Sequence, residues 1–219
     1  MRVLIVAATE PEVTPLLFGL GDAQVRPDGV PRYLCSGHEV GLLMTGVGMV
    51  ATAARVARAL SIATYDVAFN VGVCGAFGRA LALGTVVHVV SDHLVEMGAE
   101  DGDTFLTTDE LNLVCATRLT AVPPASTALA RLPSVTGITV NTIHGNERSI
   151  AAVTERFSPH VESMEGAAFM YACMIHGPMP FAEVRAVSNI VEKRNRAAWR
   201  LDAAASNLAT SVLGILETL

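Results

Sequence analysis

Between residues 2 and 8 the chain is almost continuously Val, Leu, Ile and Ala, the pattern of a strand covered on both faces. It then turns polar. Thr9 suits an N-cap and Pro11 a first helical turn, so "TEPEVTPLLFGL" is expected to be helical. "RYLCSGHEVGLLMTG" reads as a hairpin turning at Ser36–His38, and "GMVATAARVARAL" (48–60) has the small and apolar spacing of a helix. A buried strand at 66–71 runs into a glycine loop, "GVCGAFG", at 72–78. A long strand is expected at 84–95, an acidic loop at 98–112 and a further strand at 134–143. Helices at 147–157 and 164–177 precede a last strand at 181–187. The C-terminal helix carries Leu201, Ala204, Ala205, Leu208, Val212 and Leu216 at helical spacing.

Strands alternating with helices, several of them continuously apolar, imply a single α/β domain with a central, largely covered sheet. Ligands of such sheets bind beyond the carboxyl ends of strands. That rule selects residues 9–13, 72–78, 144–148 and 188–196.

Composition narrows the function classes. The 219 residues are 51% hydrophobic and 16% charged, with a mean hydropathy of +0.45. So little charge suggests that surface is hidden elsewhere, and we expect a homo-oligomer, most simply a dimer. The net charge is −6 with no basic block, so nucleic acid is not an expected partner. The cysteines at 35, 74, 115 and 173 form no CxxC pair and read as reduced thiols; no metal site or cofactor is expected. The first apolar run ends at Glu10, short of a signal peptide, and no stretch could span a bilayer. We expect a soluble, cytoplasmic protein without membrane partners.

Glu12, Glu165 and Asn189 stand out, each with an ordinary alternative, which for Asn189 is a cap or turn role. Glu12 and Glu165 both fall at helix starts, where an acid is favoured by the helix dipole alone. Glu165 in "VESMEGAA" could instead accept two sugar hydroxyls. The glycines of "NVGVCGAFG" do not end in Gly-Lys-Ser/Thr, so they are no Walker A loop, and turn chemistry explains them as well as ligand approach does. Finally, "VRAVSNIVEKRNRAAW" begins as a buried strand, broken only by Arg185, and then becomes densely polar.

Taken in order, these segments resemble the purine and uridine phosphorylase superfamily, specifically its nucleosidase branch. "MRVLIVAATEPEV" resembles the N-terminal strand and turn of methylthioadenosine/S-adenosylhomocysteine nucleosidases, "TGVGMVATA" their Gly-rich helix start, and "NVGVCGA" their Asn-x-Gly-x-x-Gly loop. "VESMEGAA" is similar to their Met-Glu ribose segment. The run Ser188, Asn189, Val191, Glu192, Arg194, Asn195, Arg196 and Trp199 is similar to the futalosine hydrolase group. That resemblance implies a three-layer α/β/α sandwich around a mixed, partly barrel-like sheet. It further implies hydrolysis of futalosine, an inosine with a carboxylated aromatic tail, to hypoxanthine in an alternative menaquinone route.

The resemblance also distributes roles. Glu12 would be the base that activates water, and Glu165 would hold the ribose hydroxyls with Met164 packed on the sugar. Val73, Cys74, Gly75, Ser188 and Asn189 would contact the purine. Adenosine-cleaving relatives carry Asp where this chain has Asn189. An amide can donate to O6 of a 6-oxopurine and accept from N7–H, whereas an ionised carboxylate can only accept. The segment 143–150 lacks the aromatic that relatives often place over the base, and Arg148 could cover it instead. Arg194 and Arg196 could meet the tail carboxylate or could simply be a solvated loop paired with Glu192; Phe105 could close the pocket, of its own or a neighbouring subunit. Hexameric phosphorylases place Arg before and Ser within the glycine loop, where this chain has Asn70 and Val73, so water is the expected nucleophile. A methylthioadenosine/S-adenosylhomocysteine nucleosidase, a purine nucleoside phosphorylase and a non-catalytic nucleoside-binding or storage protein remain the alternatives.

Overall fold

The structure, a computed structural model, describes residues 1–24, 29–113 and 115–219. β1 (Arg2–Ala7) is followed by α1 (Glu10–Leu20), the hairpin β2 (Arg32–Cys35) and β3 (His38–Met44), and α2 (Met49–Ile62). Ser36 and Gly37 take positive φ at the hairpin turn, as a two-residue connection requires. Next come β4 (Val67–Ala76), β5 (Val86–Leu94), a small hairpin of β6 (Gly98–Asp101) and β7 (Thr104–Thr107), β8 (Arg118–Thr120) and the short α3 (Thr127–Ala130). The chain finishes with β9 (Ser134–Thr139), α4 (Glu147–Phe157), β10 (Val161–Ser163), α5 (Gly166–His176), β11 (Phe181–Ile190), a 3-10 turn (Arg196–Ala198) and α6 (Leu201–Glu217).

The main sheet runs β10-β9-β5-β11-β4-β1-β3-β2, with β8 on β5. β10 also pairs antiparallel with β4, which closes β4, β11, β5, β9 and β10 into a five-stranded barrel. The sheet is therefore mixed and partly barrel-like, with helices on both faces. Period-two alternation along the strands feeds two cores. Val3, Ile5 and Ala7 of β1 pack with α1 and α6 through Val13, Leu16, Leu208, Val212 and Leu216. Leu4 and Val6 pack the other way, with Val56 and Leu60 of α2 and Phe169 and Met170 of α5. The outer faces of α2 and α5 leave Val50, Tyr171, Met174 and Ile175 exposed. Among the described residues no helix is long and apolar enough to cross a membrane.

Two expectations are corrected. The glycine segment 72–78 is not mainly a loop: β4 continues to Ala76 with partners on both sides. Gly72 serves close approach, because a Cβ there would lie 2.5 Å from Glu12 Oε2 and 2.6 Å from Arg185 Nη1, and only Gly78, beyond the strand, takes the positive φ of a turn. The acidic stretch 98–112 contains the β6–β7 hairpin, whose polar composition hid its strands because it pairs only with itself.

Candidate active site

The carboxyl ends of β1, β4 and β11 and the start of α5 surround a cavity of about 260 Å³. Its lining includes Glu12, Val73, Cys74, Gly75, Met164, Glu165, Ser188, Asn189 and Arg194. The fold thus brings together residues spread from position 12 to position 194.

Glu12 sits in the first turn of α1. The Thr9 hydroxyl does not cap a backbone N–H there; it donates instead to Glu12 Oε1 at 2.7 Å. The Val73 N–H reaches Glu12 Oε2 at 3.4 Å. Burial pushes the Glu12 carboxyl above the usual carboxylate range, against the Thr9 hydrogen bond and the Arg185 charge. A carboxylate of raised basicity beside a cavity can take a proton from water.

Glu165 occupies the N-cap position of α5 without capping it. Ser163 Oγ and Thr139 Oγ1 satisfy the N–H groups of Gly166 and Ala167, leaving the Glu165 carboxylate for other partners. It accepts from the Gly48 N–H at 3.0 Å and lies 3.6 Å from Arg185 Nη1. A helix-dipole role alone would not direct it across the sheet in this way.

Asn189 owes its direction to a bulge. β11 and β4 pair Val187 with Cys74 and then Asn189 with Gly75, so Ser188 is the extra residue. Without it, Ser188 would face Gly75 and Asn189 would point to the opposite side of the sheet. The Ser188 hydroxyl lies 2.9 Å from Asn189 Oδ1, and Asn189 Nδ2 donates to the Ile190 carbonyl at 3.2 Å. One amide proton and one oxygen lone pair remain for a ligand.

Beneath these residues lies a charge cluster that sequence reasoning passed over. Arg185 is fully buried in β11. Its Nε donates to Glu183 Oε1 at 2.7 Å and its Nη2 to Asn70 Oδ1, while Asn70 Nδ2 donates to the Val6 carbonyl. Burial works against this cation, but Glu183, Glu165 and Glu12 outweigh it and raise its pKa. Behind Gly166, Asp92 and Glu183 converge so closely that a Cβ on that glycine would collide with both carboxyl groups. Burial, together with the Glu183 charge, raises the Asp92 pKa well above its usual value despite the hydrogen bond from Thr139, and protonated Asp92 can donate to Glu183. The cluster keeps more carboxylates than cations under the cavity. That imbalance favours positive charge developing above it. Burial also pushes Cys74 up to about 12, so it lines the cavity as a neutral thiol.

An acid whose pKa rises on folding takes up a proton that the unfolded chain releases. Asp92 therefore favours the fold at low pH and loses that contribution as pH climbs from 3.8 through its folded value. Asp92→Asn fixes the neutral form. Thermal melts should show the variant gaining on the parent as pH rises from about 4 to 8. A difference independent of pH would mean that Asp92 is ionised in the fold.

Three sequence-selected residues stand outside the cavity. Arg148, in the first turn of α4, has a side chain 88% exposed and 3.6 Å from Asp103; it does not line the cavity, which Ile143 and His144 of the neighbouring segment do. Phe105 lies on β7 under the Arg156 guanidinium at 4.2 Å, away from the cavity of its own chain. Arg196 is exposed on the 3-10 turn. Conversely, Val47, His144, Glu162 and Trp199 line the cavity without having been singled out as contacts. Arg194 sits at its rim with the guanidinium 5.5 Å from the Trp199 ring. Arg194 and Glu192 also border an open groove between α4 and the segment 191–195.

Comparison with known proteins adds an independent line. The Phosphorylase superfamily model matches residues 2–217. A futalosine hydrolase of Streptomyces coelicolor is 34% identical over 180 residues, covering 78% of this chain and 76% of that relative. A 5'-methylthioadenosine/S-adenosylhomocysteine nucleosidase of Colwellia psychrerythraea is 29% identical over 238 residues, covering 100% and 97% of the two chains. The solved structure of futalosine hydrolase from Helicobacter pylori has a TM-score of 0.86 at 16% identity, covering 99% and 97% of the two chains, and so shares the fold.

Proposed function

The chain belongs to the phosphorylase superfamily, and from that premise we propose that it is a purine nucleosidase that hydrolyses futalosine to hypoxanthine and the dehypoxanthinyl product. The observation that carries the choice of base is Asn189, turned onto Gly75 by the Ser188 bulge at one side of the cavity whose other side holds Glu12 and Glu165. In the orientation that the Ser188 hydroxyl and the Ile190 carbonyl hold, its free amide proton meets O6 and its carbonyl oxygen meets N7–H; a 6-amino base would need the amide turned over and both of those bonds given up. Mispairing a buried polar edge costs about 1–3 kcal/mol, enough for roughly tenfold or greater discrimination.

Cleavage of the N-glycosidic bond puts positive charge on the ribose and negative charge on the departing purine. Glu165 accepts from the ribose hydroxyls, and the carboxylate-rich cluster beneath it stabilises the ribosyl cation. Glu12 takes one proton from water as its oxygen bonds to the anomeric carbon. The glycosidic electron pair leaves with the purine, which gains a proton from solvent at N7; Asn189 Oδ1 accepts a hydrogen bond from that N7–H. Arg185 cannot serve an incoming phosphate, because Glu183, Asn70 and Glu165 already surround it. That favours water as nucleophile. Arg194 lines both the cavity and the groove, which supports a role for it in meeting a carboxylate on a 5′ tail.

A panel of futalosine, aminofutalosine, inosine and methylthioadenosine in phosphate-free buffer tests the reading, with chromatography of the released base. Hypoxanthine from futalosine is the expected main product. An absolute requirement for phosphate would sink the hydrolase. Faster release of adenine from methylthioadenosine would favour the second reading, which the Colwellia relative's whole-length similarity supports.

A further inference from the structure

We propose that Glu162 is a second base-reading residue, its carboxylate accepting from the N1–H of a 6-oxopurine while Asn189 reads O6 and N7–H. This rests on the purine reading given above. It starts from Gly75, which stands between the two side chains in the barrel wall. Asn189 is its cross-strand partner on β11, and Glu162 is its partner on β10. A Cβ on Gly75 would lie 3.1 Å from Asn189 Nδ2 and 3.5 Å from Glu162 Cγ, so both side chains lean over the same bare strand position. Both also line the cavity.

Glu162 is almost completely buried, its side chain only 3% exposed, and His144 holds it. The His144 backbone N–H donates to Oε1 at 3.1 Å, and His144 Nδ1 lies 2.7 Å from Oε2. Phe77, edge-on to the His144 ring at 6.3 Å, packs beside that partner. His144 is therefore a positioning residue. Two carboxylate oxygens offer about four acceptor sites, more than His144 uses. The remainder can serve a ligand in the cavity.

The chemistry of the base supplies the rest. A 6-oxopurine presents an acceptor at O6 and, next to it, a donor at N1. An adenine presents the reverse, with a bare lone pair at N1. An amide and a carboxylate side by side complement the first pattern; the carboxylate repels the second because it has no proton to give. Selection for the 6-oxo base thus has two parts, and Asn189 supplies only one.

Binding of free bases tests this without turnover. By calorimetry, the parent protein should bind hypoxanthine roughly tenfold or more tightly than adenine or 1-methylhypoxanthine, whose N1 has no hydrogen to donate. Glu162→Gln should weaken hypoxanthine by about tenfold and leave adenine unchanged or tighter, since the amide can donate to a bare N1. Equal losses for both bases would reduce Glu162 to a structural part of the pocket and overturn the proposal. Equal binding of hypoxanthine and 1-methylhypoxanthine by the parent would overturn it as well, whether or not the variant folds. A protein that passes these tests yet leaves futalosine intact would overturn the proposed activity and not this contact.

Discussion

Replacing Glu12 with Gln is expected to lower turnover of the nucleoside about a thousandfold while leaving substrate affinity within a few-fold. The substitution keeps shape and removes only the ability to take a proton. Its surroundings tolerate an amide: the carbonyl oxygen can face the Val73 N–H, and the Thr9 hydroxyl can rotate to accept from the new NH2 group. A loss of rate therefore reports chemistry rather than a displaced helix. The parent's pH profile should agree with it. Because burial raises the Glu12 carboxyl, protonation and loss of rate on acidification should begin above the usual carboxylate range. Single-turnover rates and ligand titration separate the two effects. A variant rate within tenfold of the parent would remove Glu12 from the water-activating step.

The second large effect belongs to stability. Arg185→Met is expected to cost about 3–5 kcal/mol, because it leaves buried carboxylates without their cation. For a chain of this length that corresponds to a fall in Tm of roughly 10 °C. Glu183 loses its 2.7 Å donor, Asn70 loses the donor to its carbonyl, and Glu165 loses the charge 3.6 Å away. Adding Glu183→Leu to that variant should recover part of the loss, since the unpaired charge nearest the methionine disappears; urea denaturation of the four-member cycle measures it. A loss below about 1 kcal/mol in the single variant would mean that solvent reaches the cluster and screens it.

These two residues differ in how far the sequence betrays them. Glu12 follows an apolar strand at a polar helix start, so strand-end logic finds it and family resemblance assigns it. Glu165 and Asn189 are visible in the same way. Arg185 also left a signal, as a lone cation two residues from Glu183 in an otherwise apolar strand, hence on the same face. What the sequence does not contain is the convergence of Asp92, Asn70 and Glu165 on that face, which depends on barrel closure. The His144–Glu162 pair was hidden for a related reason. β10 is three residues long, too short for periodicity, and its pairing with β4 is non-local. Arg148 shows the converse case. Its charge and position in the chain suggested a cover for the base, but as an exposed residue in the first turn of α4 it faces Asp103.

The Ser188 bulge has a consequence for how this pocket can be redesigned. On the proposed reading, base preference depends on the frame of β11 as well as on the residues it carries, since one step along the strand turns a side chain to the other face of the sheet. Substitutions at 162 and 189 leave that frame intact, although side chains that share the space over Gly75 are expected to couple in combination. Any change in the number of residues between Arg185 and Asn189 would move the amide off Gly75 and put a neighbour in its place. On that reading, base choice at this strand end is open to point substitution and closed to insertion or deletion.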